Sequence, residues 1–301
     1  MFLFSVFMFD ESNKRETFYH AVLLETKKLK TSFSGDNELR KRLQELGSFE
    51  AIFNKEMGVS NVEEFVKSDA KLEKIAKDIQ DADFDFQVLT INDPAYPLKD
   101  VPDATPVLYA RGDLCLFGQK SIAVVGTRKL FKNNMVCAAL EGSSILERLV
   151  RAGHVIVSGL AEGCDTLAHE AAILYGRRTV AVLGTPLDIY YPQMNRSLQE
   201  EIARNHLLVS QYPIGKNTFG SFFAHRNHTT VSLSSEGVVV VHADDKSGTQ
   251  HAIRACKKQG KPLYILQNNF SCGYAWPGKV KKKYSNAKVV SPNRNNNGAD
   301  K

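Results

Sequence analysis

The stretch Gly153-His-Val-Ile-Val-Ser-Gly-Leu-Ala-Glu-Gly-Cys-Asp165 decides the fold class of this chain. Its β-branched run 155–157 predicts a short strand, Ser158 and Gly159 end that run, and apolar residues at helical spacing follow Asp165. A strand, a glycine-containing turn and a helix in this order direct free backbone N–H groups at one point, where an anion can bind. The alternative for this loop alone is a tight turn whose glycines only permit positive φ.

The same alternation of strands and helices continues from Ser121 to Leu266. Candidate strands are the apolar runs 122–125, 155–157, 179–183, 207–209, 238–241 and 263–266, and helical patterns occupy 133–152, 165–175, 195–205, 229–236 and 248–259. Runs that are apolar on both faces are typical of parallel strands covered by helices on both sides. The sequence therefore predicts an α/β fold with a doubly wound parallel, Rossmann-like sheet.

Three regions are expected along the chain. Residues 1–83 form a small helical N-terminal domain, and residues 84–268 form the Rossmann-like domain, of which 84–120 are connector strands. Residues 269–301 are rich in Asn, Lys, Ser and Gly, which favours a basic mobile tail.

Two details of the helical domain bear on function. The apolar run 1–9 predicts a buried strand or helix start, with a weak targeting signal as the alternative. Leu39, Leu43 and Leu46 lie at helical spacing before Gly47-Ser48, which predicts a pair of helices joined by a short turn. Because many acidic residues follow, this pair is interpreted as a packing module and not as a DNA-reading unit.

Composition indicates a globular protein of the cytoplasm. Of 301 residues, 43% are hydrophobic and 24% are charged, and no apolar run is long enough to span a membrane. Five scattered cysteines without a C-x-x-C pair argue against a disulfide framework or a zinc site. The net charge of +6 resides in residues 277–301, so any polyanion site in the folded part must be a local patch.

A ligand site is predicted at the carboxyl ends of the strands, where doubly wound sheets bind their ligands. Five loops there place glycine, hydroxyl, amide and basic groups along one rim, which indicates a phosphate-bearing ligand. The candidate DNA- or phosphate-binding residues are Gly126, Thr127, Arg128, Lys129, Ser158, Gly159, Gly163, Gly184, Arg196, Phe223, Arg226, Asn227, Lys246, Ser247, Gly248 and Thr249. The alternative is that the cations are solvated surface residues and the glycines ordinary turns.

Several motifs resemble the DNA-processing protein family called DprA or Smf. They are Gly126-Thr-Arg128, Ser158-Gly-x-Ala-x-Gly-x-Asp165 with His169, Leu183-Gly-x-x-x-Asp188-x-x-Tyr-Pro-x-x-Asn195, Tyr212-Pro-x-Gly215 and Phe223-x-x-Arg-Asn227. With Asn92-Asp-Pro-x-Tyr-Pro97 and Pro106-Val-Leu-x-x-x-Gly112, the resemblance covers about residues 39–266. It implies an extended Rossmann-type domain that binds single-stranded DNA, forms a homodimer and helps to load a RecA-class recombinase during natural transformation.

The chain departs from the family pattern at three places. His228 follows Arg226-Asn227 where members commonly carry arginine, and Ala252 replaces the last hydroxyl residue of the loop that begins at Ser247. No room is expected after Leu266 for the C-terminal winged helix of many members. A diverged member serving a plasmid, phage or defence system is therefore an alternative to one that loads a recombinase.

Enzymatic chemistry is not expected from these residues. Related nucleotide-processing enzymes use a glycine-rich loop followed by a glutamate, whereas here Gln250 and His251 follow the loop 244–249. Asp165 and His169 lie four residues apart, as an acid–base pair or as a helix-stabilising pair would. The histidines fall on different elements, so no metal site is predicted.

Two function classes remain from the sequence. The first is a non-enzymatic single-strand binder without a cofactor, and the second is a sensor or hydrolase of a small nucleotide. Phe222 and Phe223 favour strand binding if they stack on bases, but both fit a core equally well. A homodimer through the Rossmann-like domain is expected, with Leu198 and Ile202 as exposed apolar residues.

Overall fold

The structure, a computed structural model, describes residues 11–131 and 135–292. The apolar run 1–9, for which a buried strand or helix start is expected, lies outside the described residues. Among the described residues, five helices come first: α1 (Ser12–Glu25), α2 (Phe33–Leu46), α3 (Phe49–Met57), α4 (Val62–Lys67) and α5 (Ala70–Gln80). Gly47 ends α2 with φ 92°, and Ser48 caps α3 by accepting a hydrogen bond from the Ala51 N–H, as the sequence predicts.

Within the described residues, nine strands form one sheet, and seven of them are parallel. They are β1 (Gln87–Thr90), β2 (Val107–Gly112), β3 (Ser121–Val125), β4 (Val155–Ser158), β5 (Thr179–Leu183), β6 (Leu207–Ser210), β7 (Val238–Val240), β8 (Leu263–Leu266) and β9 (Ala287–Val290). The strand order is β1-β2-β6-β5-β4-β3-β7-β8-β9. Of these nine strands, the two connector strands make the antiparallel pairs, β1 with β2 and β2 with β6.

Helices cover both faces of the parallel part, which confirms the doubly wound Rossmann-like fold. After β3 the chain forms α6 (Val136–Arg151), α7 (Cys164–Leu174), α8 (Arg196–Asn205), α9 (Gly220–Ser232), α10 (Thr249–Lys258), α11 (Asn268–Ser271) and α12 (Trp276–Lys283). Alternate residues of β3 face opposite layers: Ile122 and Val124 pack in the core with α6 and α7, whereas Ala123 and Val125 pack in the core with α10.

The expected helix 229–236 is placed wrongly, because α9 begins at Gly220 and ends at Ser232. Its buried residues include Arg226 and the two histidines His225 and His228, so the side that faces the protein is polar. A search for an apolar stripe at helical spacing therefore misses this helix. The correction moves Phe223, Arg226 and Asn227 from a loop onto a helix.

The expected mobile tail is also wrong up to residue 292. Trp276 is only 5% exposed, and its indole N–H donates to the Ala243 carbonyl at 2.7 Å. Both carboxylate oxygens of Asp245 accept hydrogen bonds from the backbone N–H groups that begin α12. The strand β9 then pairs in parallel with β8 and extends the sheet.

The apolar residues expected to support a dimer are not exposed. Ile202 is fully buried, and Leu198 packs partly buried against the same core, which also holds the N-terminal helices. Within the described ranges, the most exposed large apolar side chains include Val136, Leu140 and Leu174. No helix in the described part of the chain is both long and apolar enough to cross a bilayer.

Candidate nucleic-acid interface

A cavity of about 560 Å³ opens where the strand order reverses. From β3 the chain proceeds to β4, β5 and β6 on one side and then returns to place β7 on the other. The loops that follow β3 and β7 therefore diverge and leave a crevice between them, as in other doubly wound sheets. The loop after β4 and the exposed side of α9 complete the walls.

Twelve of the sixteen predicted site residues line this cavity. They are Gly126, Thr127, Arg128, Lys129, Gly159, Phe223, Arg226, Asn227, Lys246, Ser247, Gly248 and Thr249. Arg128, Lys129 and Lys246 are exposed, and among residues 11–131 and 135–292 no carboxylate oxygen lies within 4 Å of their side-chain nitrogens. These three cations are hereafter called the rim cations, and they give the rim a local positive charge.

Two loops hold the rim cations in place through short-range hydrogen bonds. The Thr127 hydroxyl accepts from the Lys129 N–H at 3.1 Å, and the Asp244 carboxylate accepts from the Lys246 N–H at 2.8 Å. The Ser247 hydroxyl accepts from the Thr249 N–H at 3.0 Å, at the start of α10. Side chains that bond to the backbone two residues on are typical of tight polar turns.

Arg226 lies on the floor of the cavity and not on its rim, which corrects its predicted position. Its side chain is buried, and Nη1 donates to the carbonyls of Gly159 and Val182. Among the described residues, its Nε has no hydrogen-bond partner. The guanidinium thus connects α9 to the ends of β4 and β5, and it places a buried positive charge below the rim cations.

Asp165 is a cavity residue that the list of candidate ligands omits. Burial raises the pKa of its carboxyl group, while the nearby charge of Arg226 lowers it. Its Oδ2 accepts a hydrogen bond from the Ala161 N–H at 3.3 Å, so the carboxylate stabilises the turn before α7. The sequence signal was its place at a helix start, where an acidic residue interacts favourably with the helix dipole.

Asp165 and His169 do not form the acid–base pair that their spacing allows, because each side chain bonds to a different partner. The Thr179 hydroxyl donates to the Ile156 carbonyl and therefore accepts from His169 Nδ1–H at 2.7 Å. Burial lowers the pKa of His169 to about 3, so the ring is neutral. Burial raises the pKa of the Cys164 thiol, which also favours the neutral form, as expected for a core residue.

The two adjacent phenylalanines have different surroundings. Phe222 is buried and stacks on Tyr212 with ring centroids 4.0 Å apart, so it belongs to the core. Phe223 lines the cavity, where the Arg128 guanidinium lies 5.3 Å from its ring centroid. The ring of Tyr191, 47% exposed, lies 5.0 Å from Phe223 and extends the aromatic surface.

Four predicted site residues do not line the cavity. The buried Ser158 hydroxyl donates to the Val124 carbonyl at 2.7 Å, and Gly163 forms the turn before α7. Gly184 lies beneath Phe223, since a Cβ there would be 2.5 Å from Phe223 Cδ1. The Arg196 guanidinium packs 4.6 Å from the Tyr190 ring centroid. At least Ser158 and Gly184 therefore shape the cavity from behind.

Residues 87–294 match a family model described as DNA recombination-mediator protein A. The chain belongs to this family. The match includes the loops of the cavity and begins after the N-terminal helices, which precede residue 87. It confirms the DprA resemblance that the motifs indicate.

Three curated relatives, two named DprA and one named Smf, illustrate the similarity. The DNA processing protein DprA of Streptococcus pneumoniae is 34% identical over 62% of this chain and 65% of its own length. That of Bacillus subtilis is 32% identical over 68% of each chain. Protein Smf of Synechocystis is 37% identical over 61% of this chain and 46% of its own length. The chain thus spans between about half and two thirds of these relatives.

Two solved DprA structures share the fold. The Streptococcus pneumoniae DprA structure has a TM-score of 0.64 and 26% identity, with 93% of this chain and 95% of that chain covered. A Helicobacter pylori DprA structure, described by its single-stranded DNA binding mode, has a TM-score of 0.59 and 28% identity. It covers 69% of this chain and 92% of that chain.

Proposed function

We propose that this DprA-family chain binds single-stranded DNA in the cavity at the carboxyl ends of β3 and β7. The observation that carries the proposal is the placement of the rim cations Arg128, Lys129 and Lys246 beside the aromatic pair Phe223 and Tyr191. Non-specific single-strand binding combines cations that follow the phosphate backbone with aromatic rings on which bases stack. The single-strand binding described for the Helicobacter pylori relative supports the same ligand.

The proposed site binds without catalysis. Hydrolysis of a nucleotide would need a general acid or base that contacts the reacting atoms. Asp165 Oδ2 is bonded to the turn before α7, and His169 is buried and bonded to Thr179. Neither group is therefore placed as a free acid or base at the rim.

Family membership also supports two further parts of the proposal, a homodimer and cooperation with a RecA-class recombinase in DNA recombination. A two-fold dimer doubles the number of cavities that one strand can reach, so affinity is expected to rise with oligonucleotide length. Light scattering at micromolar concentration tests the dimer directly, and a monomer under these conditions contradicts it.

Competition binding tests the proposed ligand. Fluorescence anisotropy of a labelled oligothymidine is measured with unlabelled single strands, duplex and nucleoside monophosphates as competitors. We expect single strands to compete far better than duplex of equal nucleotide content, because unstacked bases are needed for the aromatic pair. Equal competition by a mononucleotide contradicts the proposal and favours the small-nucleotide sensor.

A further inference from the structure

A second cavity, of about 380 Å³, adjoins the first between α9, α10 and the start of α2. The two cavities share Ala224 of α9 and His251 of α10 as lining residues. They are therefore adjacent, and the second extends the path from the rim cations towards the N-terminal helices. The second cavity is hereafter called the side groove.

The side groove has a basic wall that follows from the helical repeat. His251, Arg254 and Lys258 are spaced at three and four residues, which places them along one face of α10. The small residues Ala224 and Ala255 between the helices leave the groove open. The first turn of α10 belongs to the rim of the first cavity, so this face continues the basic rim along the helix.

Arg254 is the cation of this wall that is available to a ligand. It is exposed, and in the described ranges no carboxylate oxygen lies within 4 Å of its guanidinium, whereas Lys258 pairs with Asp103 at 2.7 Å. Arg254 Nη2 donates to His251 Nδ1 at 3.1 Å. Because Nδ1 accepts, the neutral His251 ring carries its proton on Nε2, which is a second donor beside Arg254.

Phe33 forms the opposite wall on a rigid support. It is the first residue of α2 and remains 46% exposed, with its ring edge-on to His225 and His228 at centroid distances of 4.5 and 5.2 Å. His225 is held between Asp36 Oδ2 and the Gln211 side-chain amide, each at 3.0 Å. The groove thus places a fixed aromatic ring opposite a guanidinium that has no carboxylate partner among the described residues.

We propose that the DNA strand continues from the first cavity into the side groove, where one base stacks on Phe33 and a phosphate binds Arg254 and His251 Nε2–H. This inference rests on the proposed function. An aromatic ring and a nearby cation are the two elements that single-strand sites repeat along their length. The positive charge of Arg254 would attract an acidic peptide as well, and the adjacency of the groove to the first cavity favours the same DNA strand.

Oligonucleotide length separates the two parts of the path. The double variant Phe33→Ala/Arg254→Ala is compared with the unmodified chain on oligothymidines of about six and about twenty nucleotides, within the range of known single-strand site sizes. We expect affinity for the long strand to fall about tenfold or more, and affinity for the short strand to change less than about twofold. Lys257→Ala removes an exposed charge of α10 outside the groove and is the matched control.

A fluorescent substitution reports contact at Phe33 directly. The chain contains one tryptophan, Trp276, which is buried. In Phe33→Trp the new indole emission is expected to be quenched by the long oligothymidine and unchanged by the short one. An abasic strand of the same length is expected to leave the emission unchanged, since the quenching requires a base on the ring.

The outcomes distinguish this inference from the proposed function. If the unmodified chain binds neither oligothymidine, the proposed function fails. If the unmodified chain binds both oligothymidines and the double variant binds each with the same affinity as the unmodified chain, the side groove is not part of the path. The same conclusion follows if Phe33→Trp emission does not respond to the long strand. Equal losses on both strands in the double variant also contradict the inference, because they indicate a general structural effect.

Discussion

At the residue scale, the floor of the cavity depends on a close approach between Gly159 and Arg226. A Cβ on residue 159 would overlap the Arg226 guanidinium, which bonds to the carbonyls of Gly159 and Val182. The glycine is thus required for space. Arg226 in turn is needed beside the buried Asp165, whose pKa its charge lowers.

We expect Gly159→Ala to lower the free energy of unfolding by about 1–3 kcal/mol, because the added methyl group displaces a buried, hydrogen-bonded guanidinium. Gly118→Ala is the matched control, since a Cβ at residue 118 would meet no atom within 4 Å. Its unfolding free energy should change by less than about 0.5 kcal/mol. Urea denaturation measures both, and equal stability of the two variants would refute the close approach.

Asp188 gives a pH-dependent prediction at the same scale. Burial raises its pKa from the ordinary 3.8 to about 6, and in the described part of the chain its Oδ1 has no hydrogen-bond partner. The folded state holds this proton more tightly than the unfolded state does. The contribution to stability is therefore full below about pH 4 and is lost as the pH rises through about 6.

We expect Asp188→Asn to remove this loss, because the amide carries no charge at any of these pH values. Relative to the unmodified chain, the variant should gain about 1–3 kcal/mol more unfolding free energy at pH 8 than at pH 4. Urea denaturation at both pH values checks the prediction. A gain that is the same at the two pH values would show that the carboxyl group is not responsible.

At the element scale, the sequence predicts the sheet well because its central strands consist of runs rich in β-branched residues. The runs before Gly126, Gly159 and Gly184 become β3, β4 and β5, and the glycine loops that follow them meet at the crevice or support it. Strand–turn–helix alternation also fixes the parallel direction, so the position of the site follows from topology alone. Twelve candidate residues consequently lie in one cavity.

Two elements escape prediction for physical reasons. The helix α9 buries polar side chains, among them His225 and Thr229, that bond to Gln211 inside the protein, so it has no clear apolar face. The segment of α12 and β9 looks like a polar tail because a few residues anchor it, chiefly Trp276 and Ala287. Neither signal is periodic, and pattern analysis depends on periodicity.

The anchoring of α12 gives a prediction for Trp276→Ala. The indole is buried against Ala243 and several apolar residues of β7, β8 and α10, so its removal should cost about 3–5 kcal/mol of unfolding free energy. Thermal and urea denaturation measure the loss. Lys279→Ala, on the exposed part of the same helix, should leave the stability nearly unchanged, and an equally small effect of Trp276→Ala would restore the interpretation as an unattached tail.

At the scale of the whole molecule, two separate regions compete for the role of polyanion site. Residues 277–301 contain the entire net charge, with a lysine run on α12, whereas the rim cations form a local patch on a charge-balanced body. A lysine-rich helix attracts any polyanion, including duplex DNA, through its field. The cavity adds aromatic rings and a fixed geometry, which favour a single strand.

The most direct test of the cavity as the binding site is the salt dependence of single-strand affinity for Arg128→Ala, with Lys281→Gln/Lys282→Gln/Lys283→Gln as the comparison. If Arg128 binds a backbone phosphate, its removal reduces the slope of log K against log salt by about 0.7. Affinity should also fall about tenfold or more on every sequence. The lysine variant should retain most of its single-strand affinity. An unchanged slope and affinity for Arg128→Ala, together with loss of binding in the lysine variant, would contradict the assignment of DNA to the cavity.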